Sequence, residues 1–146
     1  MKRFSVFGLV VGALFVLSAC APSLSEQVDL SLHVDSPRVT LAKIGGKQEV
    51  TFSWTLKNRS GESLDSKGYE LALLRAEENR SSRVLMKTID FSVASQSEAS
   101  GDTVYLYDYT EPAGSFSVVL QLSQRDGGSF IPVRDFSVPF EVIRLK

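Results

Sequence analysis

The clearest pattern along the chain is a regular alternation of apolar and polar side chains. In residues 27–34 (QVDLSLHV) and 49–57 (EVTFSWTLK), every second side chain is apolar. This period of two, with β-branched and aromatic residues at the apolar positions, predicts half-buried β-strands. The same pattern predicts further strands at 38–42, 69–75, 83–93, 103–109, 115–123 and 129–143. Residues 69–76 (YELALLRA) also fit a turn of helix, but a strand is expected because the other segments are predicted as strands.

Turn-forming residues separate these segments. Asp126-Gly127 lies between the last two strands and is a strong hairpin signal. Other turns are predicted at Gly45-Gly46, at 58–61 and at 100–102, where Gly, Asn, Ser and Asp cluster. Seven or eight short strands in about 120 residues predict an all-β, antiparallel β-sandwich, in which each strand turns one apolar face inward.

Two prolines qualify the final strand. Pro132 and Pro139 have no backbone N–H to donate to a neighbouring strand. The last strand is therefore expected to lie at a sheet edge or to carry a bulge. An edge that contains proline also resists unspecific pairing with other chains.

Several residues of this segment resemble those of immunoglobulin-like and fibronectin type III-like domains. Trp54 takes a second-strand position, Tyr69 and Leu71 a third-strand position, and residues 111–118 (EPAGSFSV) look like the entry to the sixth strand. The resemblance implies an immunoglobulin-like sandwich over residues 27–146 and carries no function with it. Phe116 stands where these families usually have Tyr, so the hydrogen bond of that hydroxyl would be missing.

The N-terminus has the composition of a targeting segment. Lys2 and Arg3 are followed by an uncharged stretch at 4–17 (FSVFGLVVGALFVL) and then by small residues. A basic start, an apolar stretch and small residues predict a cleaved secretory signal at 1–19. The apolar stretch is shorter than the roughly 20 residues that a permanent transmembrane helix needs.

The end of this signal resembles the lipobox of bacterial lipoproteins, in the tetrapeptide Leu17-Ser18-Ala19-Cys20. The resemblance implies that the lipoprotein signal peptidase recognises Leu17, Ser18 and Ala19, and that Cys20 receives the lipid, with palmitate as a typical acyl group. Ala21 in place of Asp favours the outer membrane in a two-membrane bacterium. The alternative is an ordinary secreted protein, but Cys20 is the only cysteine in the chain.

Charge limits the partners that the mature chain attracts. Residues 20–146 carry 14 basic side chains, because two of the 16 lie in the signal, against 17 acidic ones, which leaves a net charge of −3. Nucleic acid and anionic lipid are therefore not expected as partners. Residues 20–26 are predicted to be the lipidated cysteine and a short spacer, so the covalent lipid on Cys20 must hold the domain at the membrane.

Motifs for catalysis are missing from the sequence. His33 is the only histidine and falls on the polar face of the first strand, where a solvent-exposed position is expected. The sequence has no Gly-x-Ser-x-Gly, no multi-histidine metal motif and no glycine-rich phosphate loop. We therefore expect no enzyme, no catalytic residue, no metal and no cofactor other than the lipid.

Three aromatic residues on one strand form the most suggestive group. Tyr105, Tyr107 and Tyr109 share one face, while Val104 and Leu106 point the other way. If Val104 and Leu106 face the core, the tyrosines form an exposed row that can bind a sugar, a peptide or a protein. If the tyrosines face inward, they pack in the core.

Together these observations predict a membrane-anchored lipoprotein of the cell envelope with one sandwich domain. Its expected role is that of a non-catalytic binding or assembly module for another envelope component, with an envelope protein or a glycan as the partner. The alternative is a surface adhesin or glycan-binding lipoprotein, for which the tyrosine row would supply the stacking surface.

Overall fold

The computed structural model describes residues 22–77 and 81–146. The predicted signal, with Leu17, Ser18, Ala19 and Cys20, lies outside the described residues. One helical turn precedes the strands, and the elements in chain order are α1 (Leu24–Gln27), β1 (Val28–Val34), β2 (Arg38–Leu41), β3 (Lys47–Asn58), β4 (Leu64–Asp65), β5 (Tyr69–Ala76), β6 (Arg83–Ile89), β7 (Ser92–Val93), β8 (Ser97–Asp108), β9 (Gly114–Asp126) and β10 (Ser129–Arg144).

Two sheets pack face to face around one core. The first has the strand order β1-β3-β8 and the second the order β2-β10-β9-β5-β6, while β4 and β7 form a small third sheet. The described strand pairs are antiparallel except β2 with β10, which run parallel. The predicted all-β, immunoglobulin-like sandwich is therefore confirmed, with two very short strands beyond the expected number.

The alternation along β3 explains how the core forms. Val50, Phe52, Trp54 and Leu56 are buried, and their neighbours in sequence are half-buried or exposed. Because successive side chains of a strand point to opposite faces, this pattern turns one apolar face toward the second sheet. Each buried side chain of this size contributes about 1.5–3 kcal/mol relative to an exposed one.

Strand β8 begins earlier than the sequence predicts, and the turn expected at 100–102 is wrong. Gly101 lies inside β8 and pairs with Trp54 of β3. A Cβ atom at Gly101 would come within 3.0 Å of Cζ2 of the Trp54 side chain. Glycine is present because the indole ring crosses the backbone there, and not because the chain turns.

The strand predicted at 83–93 is divided in two. Ser92–Val93 leaves β6 and pairs with Leu64–Asp65 of the small sheet. The Phe91 N–H donates to Oγ of Ser66 at 2.9 Å, which fixes the point of separation. A hydroxyl from a distant loop replaces a strand neighbour here, and the local sequence does not reveal that exchange.

The final strand is an edge for most of its length, as its prolines predict. β2 covers only Glu141 to Arg144 of β10. The register with β9 shifts between Pro132 and Arg134, which marks a bulge. The Glu141 N–H donates toward β2, to the carbonyl of Pro37. Backbone N atoms two residues apart point to the same side of a strand. Pro139 therefore lacks its N–H on the open side, where no sheet bond is lost.

The end of the predicted spacer lies on the domain. Helix α1 occupies Leu24–Gln27, and Leu24 packs against the core. Arg59 donates to the carbonyl of Glu26 at 2.9 Å, and Arg134 donates to that of Ser25 at 3.3 Å. These contacts hold the predicted end of the spacer on the domain. Among the described residues, no helix is long and apolar enough to cross a membrane.

Candidate functional site

The tyrosine row faces into the sandwich, with Tyr105 and Tyr107 on β8 and Tyr109 in the turn that follows it. Tyr107 is only 1% exposed, and Tyr105 and Tyr109 pack against the core as half-buried side chains. Val104 and Leu106 on the opposite face are 43% and 47% exposed. The structure thus shows the alternative in which the tyrosines face inward and pack on the core. The three tyrosines do not form an exposed binding face.

The opposite sheet explains this orientation. The ring of Tyr107 stacks on Phe140 of β10, with the centroids 5.2 Å apart and the planes 14° apart. Phe140 also contacts Phe52 and Phe116. Tyr107 thus belongs to an aromatic cluster that joins both sheets near the end of the core. Val104 and Leu106 have no strand of the described chain above them on the outer face of β8.

The sandwich opens beside this cluster into a pocket of about 140 Å³. The pocket lies between β6 and β8, which are the edge strands of the two sheets. We call it the corner pocket, and its walls come from β5, β6, β8, β9 and the turn before β9: Arg75, Glu77, Val84, Leu85, Met86, Tyr105, Tyr107, Glu111, Pro112 and Phe116. His33, by contrast, lies on β1 and is exposed, as the sequence predicts.

Arg75 is the residue of this pocket that sequence reasoning missed. Tyr69, Leu71 and Leu73 of β5 are buried, and Arg75 continues the same alternation. Its side chain is only 11% exposed. The sequence contained one signal of this site, a charged residue at the next inward-facing position of a strand. Such a residue indicates a polar site, because a guanidinium is seldom buried without a partner.

The Arg75 guanidinium contacts three groups of the pocket walls. Its Cζ lies 3.8 Å from the ring centroid of Phe116, a cation–π contact. Nη1 donates to the carbonyl of Pro112 at 3.3 Å, and Nη2 lies 3.7 Å from Oε1 of Glu77. Nε has no hydrogen-bond partner among the described residues. Phe116 thus supplies an aromatic face for a buried cation.

Two phenols complete the polar part of the pocket. The Tyr105 hydroxyl donates to Oε1 of Glu111 at 3.0 Å. Burial, followed by that hydrogen bond, raises the pKa of Tyr105 to about 12. Burial also raises the pKa of Tyr107, whose hydroxyl has no hydrogen-bond partner in the described part of the chain. Both phenols therefore keep their protons at neutral pH and can donate hydrogen bonds.

The turn between β8 and β9 is ordered by its own polar contacts. Nε of Arg144 donates to the carbonyl of Glu111 at 2.9 Å. The Asp108 carboxylate accepts the Thr110 N–H at 2.8 Å and also the Thr110 hydroxyl, and these bonds lower the pKa of Asp108. The turn thus holds the Glu111 side chain against Tyr105.

The corner pocket has the polar groups and apolar walls of a binding pocket. Arg75 and Tyr107 present N–H and O–H donors beside apolar walls, an arrangement that fixes the orientation of a ligand. Within residues 22–77 and 81–146, no group of three acidic, histidine or cysteine side chains is placed to hold a metal ion.

Comparison with known proteins shows similarity in fold and none in sequence. The sequence matches no protein-family model and no curated protein. The C-terminal domain of Wzt superposes with a TM-score of 0.58 at 10% identity, over 82% of this chain and 75% of that one. A Niemann-Pick type C2 protein from the Japanese carpenter ant gives a TM-score of 0.55 at 9% identity, over 84% and 96%.

A third similar structure comes from a longer protein. The sporulation control protein Spo0M from Bacillus subtilis gives a TM-score of 0.51 at 13% identity, over 80% of this chain and 49% of that one. The chain thus spans about half of Spo0M. At these identities the likeness shows a shared β fold alone.

Proposed function

We propose that this protein is a lipid-anchored lipoprotein of the bacterial envelope, whose sandwich is a non-catalytic module that binds another envelope protein. The observation that carries the anchor is the placement of the chain's only cysteine, Cys20, directly after an apolar stretch and the residues Leu17-Ser18-Ala19. The lipid chains hold the protein at the membrane, and the favoured site is the outer membrane.

The short connection to α1 supports a role close to the membrane surface. Leu24 already packs against the core, four positions after Cys20. Four residues span at most roughly 14 Å. A lipid on Cys20 would therefore keep the sandwich next to the bilayer, where its partner must also lie.

The open edge of β10 is the surface that best suits a protein partner. Phe130, Ile131 and Phe136 are large apolar side chains that remain exposed along it. No other described strand pairs with this side of β10 before Glu141. An added strand could bind there through backbone hydrogen bonds, with the apolar side chains providing specificity.

The anchor is tested by changing the lipidated residue. The variant Cys20→Ser should lose incorporation of labelled palmitate and should leave the membrane fraction, because serine has no thiol to form the thioether. The variant Ala21→Ser is the matched control and should remain lipidated. Palmitate incorporation into Cys20→Ser at the level of the control would contradict the anchor.

The partner is tested by crosslinking in cells. A photoreactive residue at position 136 should capture one dominant envelope protein, identified by mass spectrometry. The same residue at position 33, on exposed β1, is the control and should not capture it. Equal capture at both positions, or a polysaccharide in place of a protein at position 136, would contradict the proposed protein partner.

A further inference from the structure

The walls of the corner pocket contain two buried hydrogen-bond donors without partners among the described residues. The Tyr107 hydroxyl belongs to a side chain that is 1% exposed. Nε of Arg75 belongs to a side chain that is 11% exposed. Buried polar groups in folded proteins nearly always have a partner, so two such donors lining one pocket point to a group that comes from outside the chain.

The two donors face the same space. Both side chains line the corner pocket. The electrostatic surroundings of the Tyr107 hydroxyl are Tyr105, Glu111 and Arg75, which are the other polar groups of the lining. The hydroxyl therefore lies on the side of the ring that the polar groups of the pocket occupy.

The size of the pocket limits what can enter. Its volume is about 140 Å³. An apolar cavity of about 150 Å³ in another protein accommodates benzene. Val84, Leu85 and Met86 of β6 supply an apolar wall on the side away from the turn. The space thus fits a single six-membered ring with one small substituent.

The charges of the lining select an uncharged ligand. Arg75 is balanced by Glu77 at 3.7 Å, and Glu111 adds a second carboxylate to the same walls. An anion in the pocket would meet two carboxylates and one guanidinium at close range, and burial would make that repulsion costly. An uncharged oxygen can accept both hydrogen bonds without this penalty.

We propose that the corner pocket binds a small uncharged molecule, a single ring with one oxygen, whose oxygen accepts hydrogen bonds from Tyr107 and Arg75 while the ring packs on β6. Entry is through the gap between β6 and β8. Val84 and Leu85 at the mouth are 62% and 55% exposed. Nζ of Lys87, which donates to the carbonyl of Val104 at 2.9 Å, bounds the gap on one side. The site rests on the sandwich alone and is independent of the lipid anchor.

The experiment uses three matched probes on the full chain in detergent micelles. Benzyl alcohol has the ring and the uncharged oxygen, toluene lacks the oxygen, and benzoate carries a charge. Each is titrated while the Arg75 Nε–Hε resonance is followed by ¹⁵N NMR. We expect a saturable shift with benzyl alcohol. One added hydrogen bond should make its affinity about three- to tenfold higher than that of toluene, with benzoate weakest.

Variants separate the pocket from general uptake of the probes. Tyr107→Phe should weaken benzyl alcohol about three- to tenfold and leave toluene unchanged, because only the hydroxyl is lost. Met86→Phe should fill the pocket and abolish binding of both. Leu106→Ala, on the outer face of β8, is the control and should bind benzyl alcohol like the unchanged chain. Circular dichroism verifies that each variant is folded.

Two results would overturn the proposal. One is that benzyl alcohol fails to give a saturable shift of the Arg75 resonance, which would mean that the pocket holds solvent only. The other is that benzoate binds more tightly than benzyl alcohol, which would mean that Arg75 recognises an anion. Neither result would alter the palmitate experiment on Cys20→Ser, so the two proposals fail separately.

Discussion

The two ends of β3 bury polar side chains in opposite ways. At its C-terminal end, Asn58 is buried and uses both ends of its amide. Its Nδ2 donates to the carbonyls of Glu62 at 2.7 Å and Ala94 at 3.1 Å. Its Oδ1 accepts the Ser60 N–H at 3.0 Å and the Ser60 hydroxyl at 2.6 Å. This end is a closed network that joins two loops, the one after β3 and the one before β8.

The N-terminal end of β3 adjoins the corner pocket, where the network is left open. Gln48 of β3 pairs with Tyr107, whose hydroxyl has no partner among the described residues. A satisfied buried network makes one conformation unique, whereas an unsatisfied one costs stability and has to be explained by something else. Asn58 therefore serves the fold, whereas Tyr107 and Arg75 are the groups that would bind the proposed ligand.

The largest effect is expected where the network is closed. Asn58→Ala leaves the Ser60 donors and two carbonyls without their partner, and should lower the free energy of unfolding by about 3 kcal/mol. Urea denaturation measures this loss. Lys57→Ala, on an exposed neighbouring position, is the control and should cost well under about 1 kcal/mol. A loss below about 1 kcal/mol for Asn58→Ala would contradict the structural role.

The apolar stretch between the two ends is tested at Gly101. Gly101→Ala places a methyl group within 3.0 Å of the Trp54 ring, so the indole or the strand must shift. We expect a loss of about 1–2 kcal/mol, as is usual for an overpacked core. Trp54 is the only tryptophan, so its fluorescence should report the same shift. Ser100→Ala is the matched control. Equal stability of the two variants would mean that the pairing of β3 and β8 adjusts to the added methyl group without loss of free energy.

Most of the fold could be predicted because it depends on a local pattern. The alternation in 27–34 and 49–57 appears in the structure as β1 and β3. What failed depends on contacts between distant residues. Gly101 looks like a turn residue until Trp54 is known to cross it, and the division at Phe91 depends on the hydroxyl of Ser66. Neither partner is near its counterpart in the sequence.

The pocket was harder to predict than the fold. The tyrosine row was visible in the sequence, but its direction depends on which face of β8 the opposite sheet covers. Arg75 sits four positions beyond Leu71 on an inward-facing register, and this was the one local sign of the pocket. Glu111 reaches the site through a turn, and the sequence alone does not fix where that turn folds back.

At the N-terminal end of β3, a substitution in the pocket should lower the free energy of unfolding only slightly or even raise it. Tyr107→Phe keeps the ring that stacks on Phe140 and removes only a hydroxyl that has no hydrogen-bond partner in residues 22–77 and 81–146. Without ligand, we expect the free energy of unfolding to stay within about 0.5 kcal/mol of its original value or to rise by up to about 1 kcal/mol. Thermal and urea unfolding measure the change. A loss above about 1 kcal/mol would place Tyr107 with Asn58 as a structural group.

The last effect is on the alkaline dependence of stability. The pKa of Tyr105 is about 12 in the folded protein against 10.0 for an ordinary tyrosine. Between these values the unfolded chain has lost this proton and the folded chain retains it, so the free energy of unfolding falls as pH rises from about 10 to about 12. In Tyr105→Phe this fall should be shallower in urea titrations at stepped pH. Glu111→Gln keeps an acceptor but removes the charge, so its fall should lie between the other two. If the free energy of unfolding of Tyr105→Phe falls as steeply with pH as that of the unchanged chain, the pKa of Tyr105 is not raised by its surroundings. The electrostatic difference between this end of β3 and the Asn58 network would then be absent.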